Sequence, residues 1–360
     1  MVVERIGTSL PENAMKGEMK MFQKGEKKDI TDLIQDMLEG YNKTQTSMHE
    51  IDNIATQSRM LANTAARELG RMGGMAGGFQ IITQEIKNFS EANRTTNQKN
   101  MQNVEALNTE INSMLGVRTA DVAYDLIDKI DRNLAERYCN VQVWCTFEAI
   151  IRYAKEDTPH RKEDVMHLLK SLHKIYAVYH DIFMVDRNGT IVAAAEREEY
   201  IGRDVSQKDW FLAAKEQENV VVSDLHYSKV IDDYVVSYTN RIVDEDGTFL
   251  GVITTRFNWE NILAMIDETK IGKKGEVYLI NKDGMVIGAR DRGLIFHKNM
   301  LLECQGAQTI LAGEVKENYG YAIEMNEQAQ LTRILGYAKT KGYNSYKGQE
   351  WAVLALENIR

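Results

Sequence analysis

Covalent chemistry needs a nucleophile beside a base, or a set of metal ligands, and this chain does not space its residues that way. Cys139 and Cys145 stand six apart in a stretch of helical periodicity, so their thiols face different directions. His167 and His173 repeat that spacing, with no acidic third ligand at a useful offset. The glycines Gly70, Gly73, Gly74, Gly77 and Gly78 suggest a phosphate loop. However, they follow a helical stretch instead of a strand and lack the Lys-Ser/Thr that such a loop requires. Asp244, Glu245 and Asp246 fall in a turn and are not a paired acid set. The expectation is a protein that is not an enzyme and uses no metal or cofactor. The chemistry left to it is recognition.

The elements that would position a recognition site announce themselves by repetition. Phe183-Met-Val-Asp-Arg-Asn-Gly-Thr-Ile-Val-Ala-Ala-Ala195 has a counterpart 95 positions on, Tyr278-Leu-Ile-Asn-Lys-Asp-Gly-Met-Val-Ile-Gly-Ala-Arg290. Each copy is an apolar run, a polar turn ending in Gly189 or Gly284, and a second apolar run: a β-hairpin written twice. Two copies of one module in tandem follow. The first module reads as strands over 180–185, 190–195, 220–223, 234–243 and 248–257 with a short helix over 258–266. The second reads as strands over 276–281, 285–289, 319–325, 332–338 and 351–356. Each is a small antiparallel sheet with helices on one side, an α+β design.

Upstream, periodicity changes to that of a coiled coil. Ile30, Ile34, Met37, Tyr41, Thr44, Met48, Ile51, Ala55, Ser58, Ala62, Ala65, Leu69 and Met72 keep strict 4-3 spacing. Glycines then break the register, and Phe79, Ile82, Ile86 and Phe89 resume it. The stretch 90–103 has almost no apolar seam, and Val104, Leu107, Ile111 and Met114 restart one. Arms over 30–72 and 75–117 predict an antiparallel helical hairpin, each arm ~64 Å long. Such a hairpin would dimerise into a four-helix bundle, with 90–103 as its loosest part. Thr119 can cap a further helix to about Ala154, and Thr158-Pro159 starts another that runs to about Tyr176. Residues 1–29 are polar and aperiodic, a flexible lead-in. A net charge of −9 argues against nucleic-acid binding, which needs a concentrated basic face. No run of 18 uncharged apolar residues predicts a membrane span. Three cysteines without ligand spacing fit a reducing compartment, so the expected location is cytoplasmic.

The order helix, hairpin, Arg203-Asp-x4-Asp-Trp-Phe211, hairpin with Gly251-Val-Ile253, then Lys274-Gly-Glu-Val-Tyr-Leu-Ile-Asn-Lys-Asp-Gly284 resembles the double Cache family of bacterial sensors. Gly336-Tyr-Ala-Lys339, Gly342-Tyr343 and Trp351-Ala-Val353 are similar to its closing strands. The resemblance implies a sensor domain over 119–360: a PAS-like distal lobe (177–266) with the ligand pocket, and a proximal lobe (267–360). The segment Ile51-Asp-Asn-Ile-Ala-Thr-Gln-Ser-Arg-Met-Leu-Ala-Asn-Thr-Ala-Ala-Arg-Glu-Leu-Gly-Arg-Met-Gly-Gly-Met-Ala-Gly-Gly-Phe-Gln-Ile-Ile-Thr-Gln-Glu-Ile86 resembles the signalling tip of methyl-accepting chemotaxis proteins. That likeness makes 30–118 a chemoreceptor-like hairpin, with Glu68, Arg71, Gly73 and Phe79 at its tip. It implies a histidine kinase and its coupling protein as partners. Gly74 stands for the family's Glu, and Ala76-Gly77 for its Gly-Arg, which removes two charges from that docking surface.

In amine-binding members of the sensor family, two acids hold the ligand ammonium, and an Arg and a Trp hold its carboxylate. By position, Arg203 stands at the pocket's first aromatic, Lys208, Trp210 and Phe211 at its Arg-x-Trp-Tyr element, and His226 at its Tyr. Ser228 stands at one acid and Arg256, in Thr254-Thr255-Arg256-Phe257, at the other. Both carboxylates are thus replaced, and Arg203, Lys208 and Arg256 are expected to converge. An ammonium beside Arg256 would be repelled, whereas a carboxylate would find a planar fork. The expected function is a soluble, dimeric, chemoreceptor-like transducer that binds a small organic acid in the distal lobe and relays it to the hairpin. The rival reading is a non-enzymatic adaptor that uses a degenerate hairpin for oligomerisation.

Overall fold

The computed structural model describes residues 30–71, 77–272, 275–313, 317–326 and 331–358. The chain divides into two compact units, one ending at Leu115 and the other running from Gly116.

The first unit is an antiparallel pair made of α1 (Ile30–Arg71) and the first part of α2 (Gly77–Trp144). Buried positions fall at multiples of seven residues on both arms, with Tyr41 and Val104 half-buried in the gaps. The buried ones are Ile34, Met48, Ala55 and Ala62 on one, and Thr83, Ser90, Asn97 and Ile111 on the other. Asn97 Nδ2 donates to the Met48 carbonyl at 2.7 Å, and Arg94 lies 3.8 Å from Asp52. Those two contacts fix the register, which sets Ala55 opposite Ser90 and Ala62 opposite Thr83. Small residues facing small polar ones let the helices approach closely. Only half of the expected seam is used: Met37 and Ile51, together with Phe79, Ile82, Ile86 and Phe89, stay exposed. The stretch 90–103 supplies buried seam residues and an inter-helix hydrogen bond, where the sequence pattern had indicated the loosest segment. The expected break at Gly73-Gly74 lies outside the described residues.

Thr119 does not start a helix. Helix α2 runs through it, and its hydroxyl donates back to the Gly116 carbonyl at 2.9 Å, an in-helix bond that leaves the backbone ladder intact. The helix ends at Trp144, ten residues before the expected Ala154, and α3 (Glu148–Lys155) follows a turn. Helix α4 (Pro159–Tyr176) starts and stops as its Pro and the left-handed Ala177 dictate.

The distal sheet contains β1 (Tyr179–Asp186), β2 (Ile191–Ala194), β3 (Val221–Val222), β4 (His226–Ser228), β5 (Asp233–Val236), β6 (Tyr238–Val243) and β7 (Phe249–Asn258). Its order is β2-β1-β7, then β5 and β6 side by side along β7, then β4 and β3 at the edge. The expected strand 234–243 is therefore interrupted at Ser237, whose amide donates to Ser223 Oγ. The proximal sheet, β8 (Glu276–Ile280), β9 (Val286–Ala289), β10 (Tyr319–Asn326), β11 (Leu331–Lys339) and β12 (Ala352–Asn358), has the order β9-β8-β12-β11-β10. Five strands of the distal sheet, β2-β1-β7-β6-β3, repeat the order of the proximal sheet, and β5 and β4 are additions. The duplicated hairpins agree atom for atom: Asp186 Oδ1 accepts from Asn188 N and Thr190 N, and Asn281 Oδ1 accepts from Asp283 N and Met285 N. Gly189 (φ 90°) and Gly284 (φ 77°) take the positive φ that each turn needs.

Helices α5 (Asp209–Glu216), α6 (Glu260–Glu268) and α7 (Gln305–Leu311) complete the lobes. Within the second unit α2 packs Ala123, Leu126, Ile127, Ile130, Leu134, Val141 and Trp144 into the main core with Ile182, Met184, Ile253 and Phe257. Buried Asp131 fastens it to the proximal lobe, accepting from the Thr340 hydroxyl and from the amides of Lys341 and Gly342. The lobes are joined directly as well. Trp351 Nε1 donates to Asp224 Oδ1 at 3.0 Å, and its ring meets that of Trp259 edge-on at 5.4 Å.

Candidate functional site

Strand alternation gives the distal sheet two faces. Ile182, Met184, Ile253 and Phe257 face the long helix, while Phe183, Val185, Val252, Thr254 and Arg256 face the other way, toward α5. That second face is lined by Ile191, Ala194, Phe211 and Ala214, all buried, with Tyr200 and Trp210 half-buried at its border. It is an apolar wall with one cation in it.

That cation is Arg256, which is only 9% exposed. Its guanidinium carbon lies 5.4 Å from the centre of the Trp210 ring and 5.6 Å from that of Phe183, so two aromatic faces hold it. Nη1 donates to Thr254 Oγ1 and to the Thr255 carbonyl, both at 2.8 Å. Thr254 Oγ1 in turn meets Thr239 Oγ1 at 2.7 Å. Burial lowers the Arg256 pKa to about 10, Asp181 working against the fall, so the group stays charged at neutral pH.

Asp181 sits across the strand pair from Arg256 and is fully buried. It is already occupied, since its carboxylate accepts the backbone N–H groups of Ile182, Ala195, Glu196 and Arg197 at 2.8–3.1 Å. Burial pushes its pKa up and those four donors oppose the rise. Among the described residues, no carboxylate forms an ion pair with Arg256.

The structure brings Trp210, Phe211 and Arg256 together. Phe211 is buried, with its ring edge-on to Trp210 at 6.2 Å and to Phe249 at 6.2 Å. Arg203 and Lys208 lie outside that group. Arg203 is exposed and rests 3.7 Å over the Tyr200 ring, and Lys208 is exposed at the N-cap of α5. His226 is exposed on edge strand β4, its Nδ1 3.0 Å from the Asp224 carbonyl. Ser228 is buried at the turn into β5, where its carbonyl accepts from the amides of Ile231 and Asp232. That turn leans on the 197–200 segment, because Tyr200 donates to the Val230 carbonyl and Arg197 to that of Ile231. At the hairpin tip, Arg71 pairs with Glu68 at 2.8 Å, and Phe79 is 64% exposed. Gly73 lies outside the described residues.

Sequence reasoning missed Phe183, Tyr200, Thr239, Thr254 and Asp181. A period-2 reading of β1 and β7 would have found three of them, since Asp181 and Phe183 share a face with Thr254 and Arg256. In the proximal lobe Tyr278 lies opposite Leu354 as Phe183 lies opposite Thr254, so Leu356 occupies the register position of Arg256.

A family model described as a Cache domain, of the double Cache type, matches residues 23–357. The ligand-binding domain of the Campylobacter jejuni chemoreceptor Tlp3, solved with L-valine, is 14% identical with a TM-score of 0.53. That match covers 69% of this chain and 93% of that one. The extracellular domain of the putative histidine kinase rpHK1S-Z16 is 16% identical with a TM-score of 0.51, over 66% of this chain and 92% of that one. At these identities the solved structures show a shared fold. No curated protein matches the chain.

Proposed function

The chain belongs to the double Cache family of sensor domains, and from that premise we propose that its distal lobe binds a small anion, preferably a carboxylate, on Arg256. The observation that carries this reading is a guanidinium nine-tenths buried, charged, and without a carboxylate partner. Burying a cation is costly; two rings, two oxygens and Asp181 offset part of that for Arg256, and an anion that reaches its fork offsets more. A ligand ammonium would meet Arg256 with Asp181 already satisfied by backbone.

Titration calorimetry with organic acids and amines tests this. Organic acids bind, and Arg256→Gln weakens them at least tenfold, ~1.4 kcal/mol. Tight binding of amines that ignores this substitution would refute the reading.

The same proposal assigns an output. The chain acts as a chemoreceptor-like transducer in which the helical hairpin pairs with a second copy through its exposed apolar stripe. That bundle engages a histidine kinase and coupling protein through a tip containing Glu68, Arg71, Gly73 and Phe79. The exposure of Met37, Ile51, Phe79, Ile82 and Phe89 supports the pairing. Light scattering that returned a monomer at micromolar concentration would count against it. One observation favours the adaptor reading: Glu68 and Arg71 are paired with each other at 2.8 Å, so a docking partner would have to compete with that contact. Capture of a chemotaxis coupling protein supports the transducer, and a dimer that captures none supports the adaptor.

We place the protein in the cytoplasm. The free thiols Cys139, Cys145 and Cys304 suit that compartment, and no helix among the described residues is long and apolar enough to cross a membrane. Cell fractionation decides the location.

A further inference from the structure

We infer that the distal lobe senses protons, independently of any solute on Arg256, with His173 as a proton-operated clasp between α4 and the segment that leaves β2. His173 lies half-buried in the last turn of α4. Its Nε2 is 2.8 Å from the Tyr179 carbonyl oxygen, and its Nδ1 is 3.2 Å from Glu196 Oε1. A carbonyl and a carboxylate can only accept. The neutral ring has one N–H, so it serves one of them and turns a lone pair toward the other. The imidazolium donates to both, and its charge suits the C-terminal turn of a helix. The clasp is therefore made as pH falls and released as pH rises.

The charges around the ring leave Glu196 as its acid. On α4, Lys170 is paired with Glu198 at 2.6 Å and Lys174 is exposed. From α2, Arg137 lies 5.9 Å from the centre of the Tyr179 ring and pairs with Glu136 at 2.6 Å. On β1, Asp181 is taken up by backbone amides, and His180 stands 3.4 Å from Asp233 of β5. Burial favours the neutral form of His180, with Arg197 and His173 adding to that preference, so the positive charge is left to His173. The Glu196 side chain is 55% exposed, and a ring that has lost its proton releases it to water. What the clasp holds is the segment that follows β2. The amides of Glu196 and Arg197 bind Asp181, the Arg197 guanidinium donates to the Ile231 carbonyl, and the Tyr200 hydroxyl donates to that of Val230. Proton uptake by His173 thereby tightens a segment that already leans on the turn between β4 and β5.

Nuclear magnetic resonance on the full chain, with nitrogen-labelled histidine and backbone amides, tests this between about pH 8 and about pH 5.5, the range in which histidines exchange their protons. Both ring nitrogens of His173 carry a proton at the acid end and one does at the alkaline end. The amide signals of Glu196, Arg197 and Tyr200 move with the same midpoint. His173→Gln abolishes that movement. Glu196→Gln abolishes it too, because the new side-chain amide donates to the neutral ring and keeps the clasp made at either pH. His180→Asn leaves the movement in place. Amides that stay still while His173 titrates, or a movement that survives His173→Gln, overturn the inference. A movement lost with His180→Asn overturns it as well, since the response then belongs to the neighbouring ring. The titration of the unmodified chain decides the matter even where a variant folds poorly.

Discussion

A single side chain sets the character of the distal face, and its neighbours show how such a charge is kept. Arg256 is held by two rings and two oxygens, while Asp181 across the strand pair is held by backbone. Replacing Asp181 with Ala should take an acceptor from four backbone N–H groups, of which Ala195 N keeps the Ile182 carbonyl, and cost roughly 1–3 kcal/mol, read as a lowered denaturation midpoint. Close by, His180 sits 3.4 Å from Asp233, and burial lowers its pKa; Arg197 and His173 add to the fall and Asp233 opposes it. The folded state therefore prefers the neutral ring. Above the unfolded value near 6.5 this costs nothing, and as pH falls below it the unfolded chain gains a proton that the folded one resists. Stability should drop between about pH 7 and about pH 5, and His180→Asn should flatten the thermal-melt profile across that window. Arg256 and Trp210 were legible through the resemblance to the double Cache pattern, and the structure brings the two together. Arg203, Lys208 and His226 were not, because turns and edge strands aim side chains by loop geometry, which has no period.

Among elements, β7 shows how closely strands can be required to approach. Gly251 has φ 149°, and a Cβ there would meet the Val185 carbonyl oxygen at 2.2 Å. Gly251→Ala should destabilise by about 2–4 kcal/mol. A thermal melt within about 1 °C of the parent protein's would contradict this. In the hairpin, Asn97 occupies a seam position and gives its amide to Met48. Asn97→Leu should raise the melting temperature while loosening the choice of register, as polar seam residues exchange stability for alignment. Calorimetry gives the first effect and cross-linking of engineered cysteines the second. The hairpins and the ends of α4 were written plainly in turn glycines and a proline. Helix α5, eight residues long, and β4, three residues long, are too short for a periodic signal. The continuity of α2 past Thr119 was hidden because a threonine that bonds back to its own helix reads the same as a capping one.

For the molecule as a whole, duplication was visible in the sequence, and the contacts that join the copies were not, since they pair residues far apart in the chain with no shared period. Asp224 illustrates this. Its carbonyl lies against His226 of the site's edge strand, and its carboxylate takes the indole N–H of Trp351, the residue before β12. Near the other end of β12, Glu357 pairs with Arg118 of α2 at 3.0 Å and accepts the Gly272 amide. One strand thus touches both the distal lobe and the long helix. Trp351→Phe keeps an aromatic ring against Trp259 but loses the N–H, and should cost about 1–3 kcal/mol by leaving Asp224 short of a partner. Hydrogen exchange should show faster opening in β4 and β12 together, and protection unchanged in both would separate the lobes.

The register match between Arg256 and Leu356 bears on ancestry. Two lobes with five strands in a common order and matching turns descend from one gene segment that doubled, yet a charge stands in one copy where the other has a plain aliphatic chain. The proposed anion site therefore belongs to one half alone, and the other is free to diverge around its aliphatic chain. Leu356→Arg would ask whether the second half still tolerates the charge that the first one keeps.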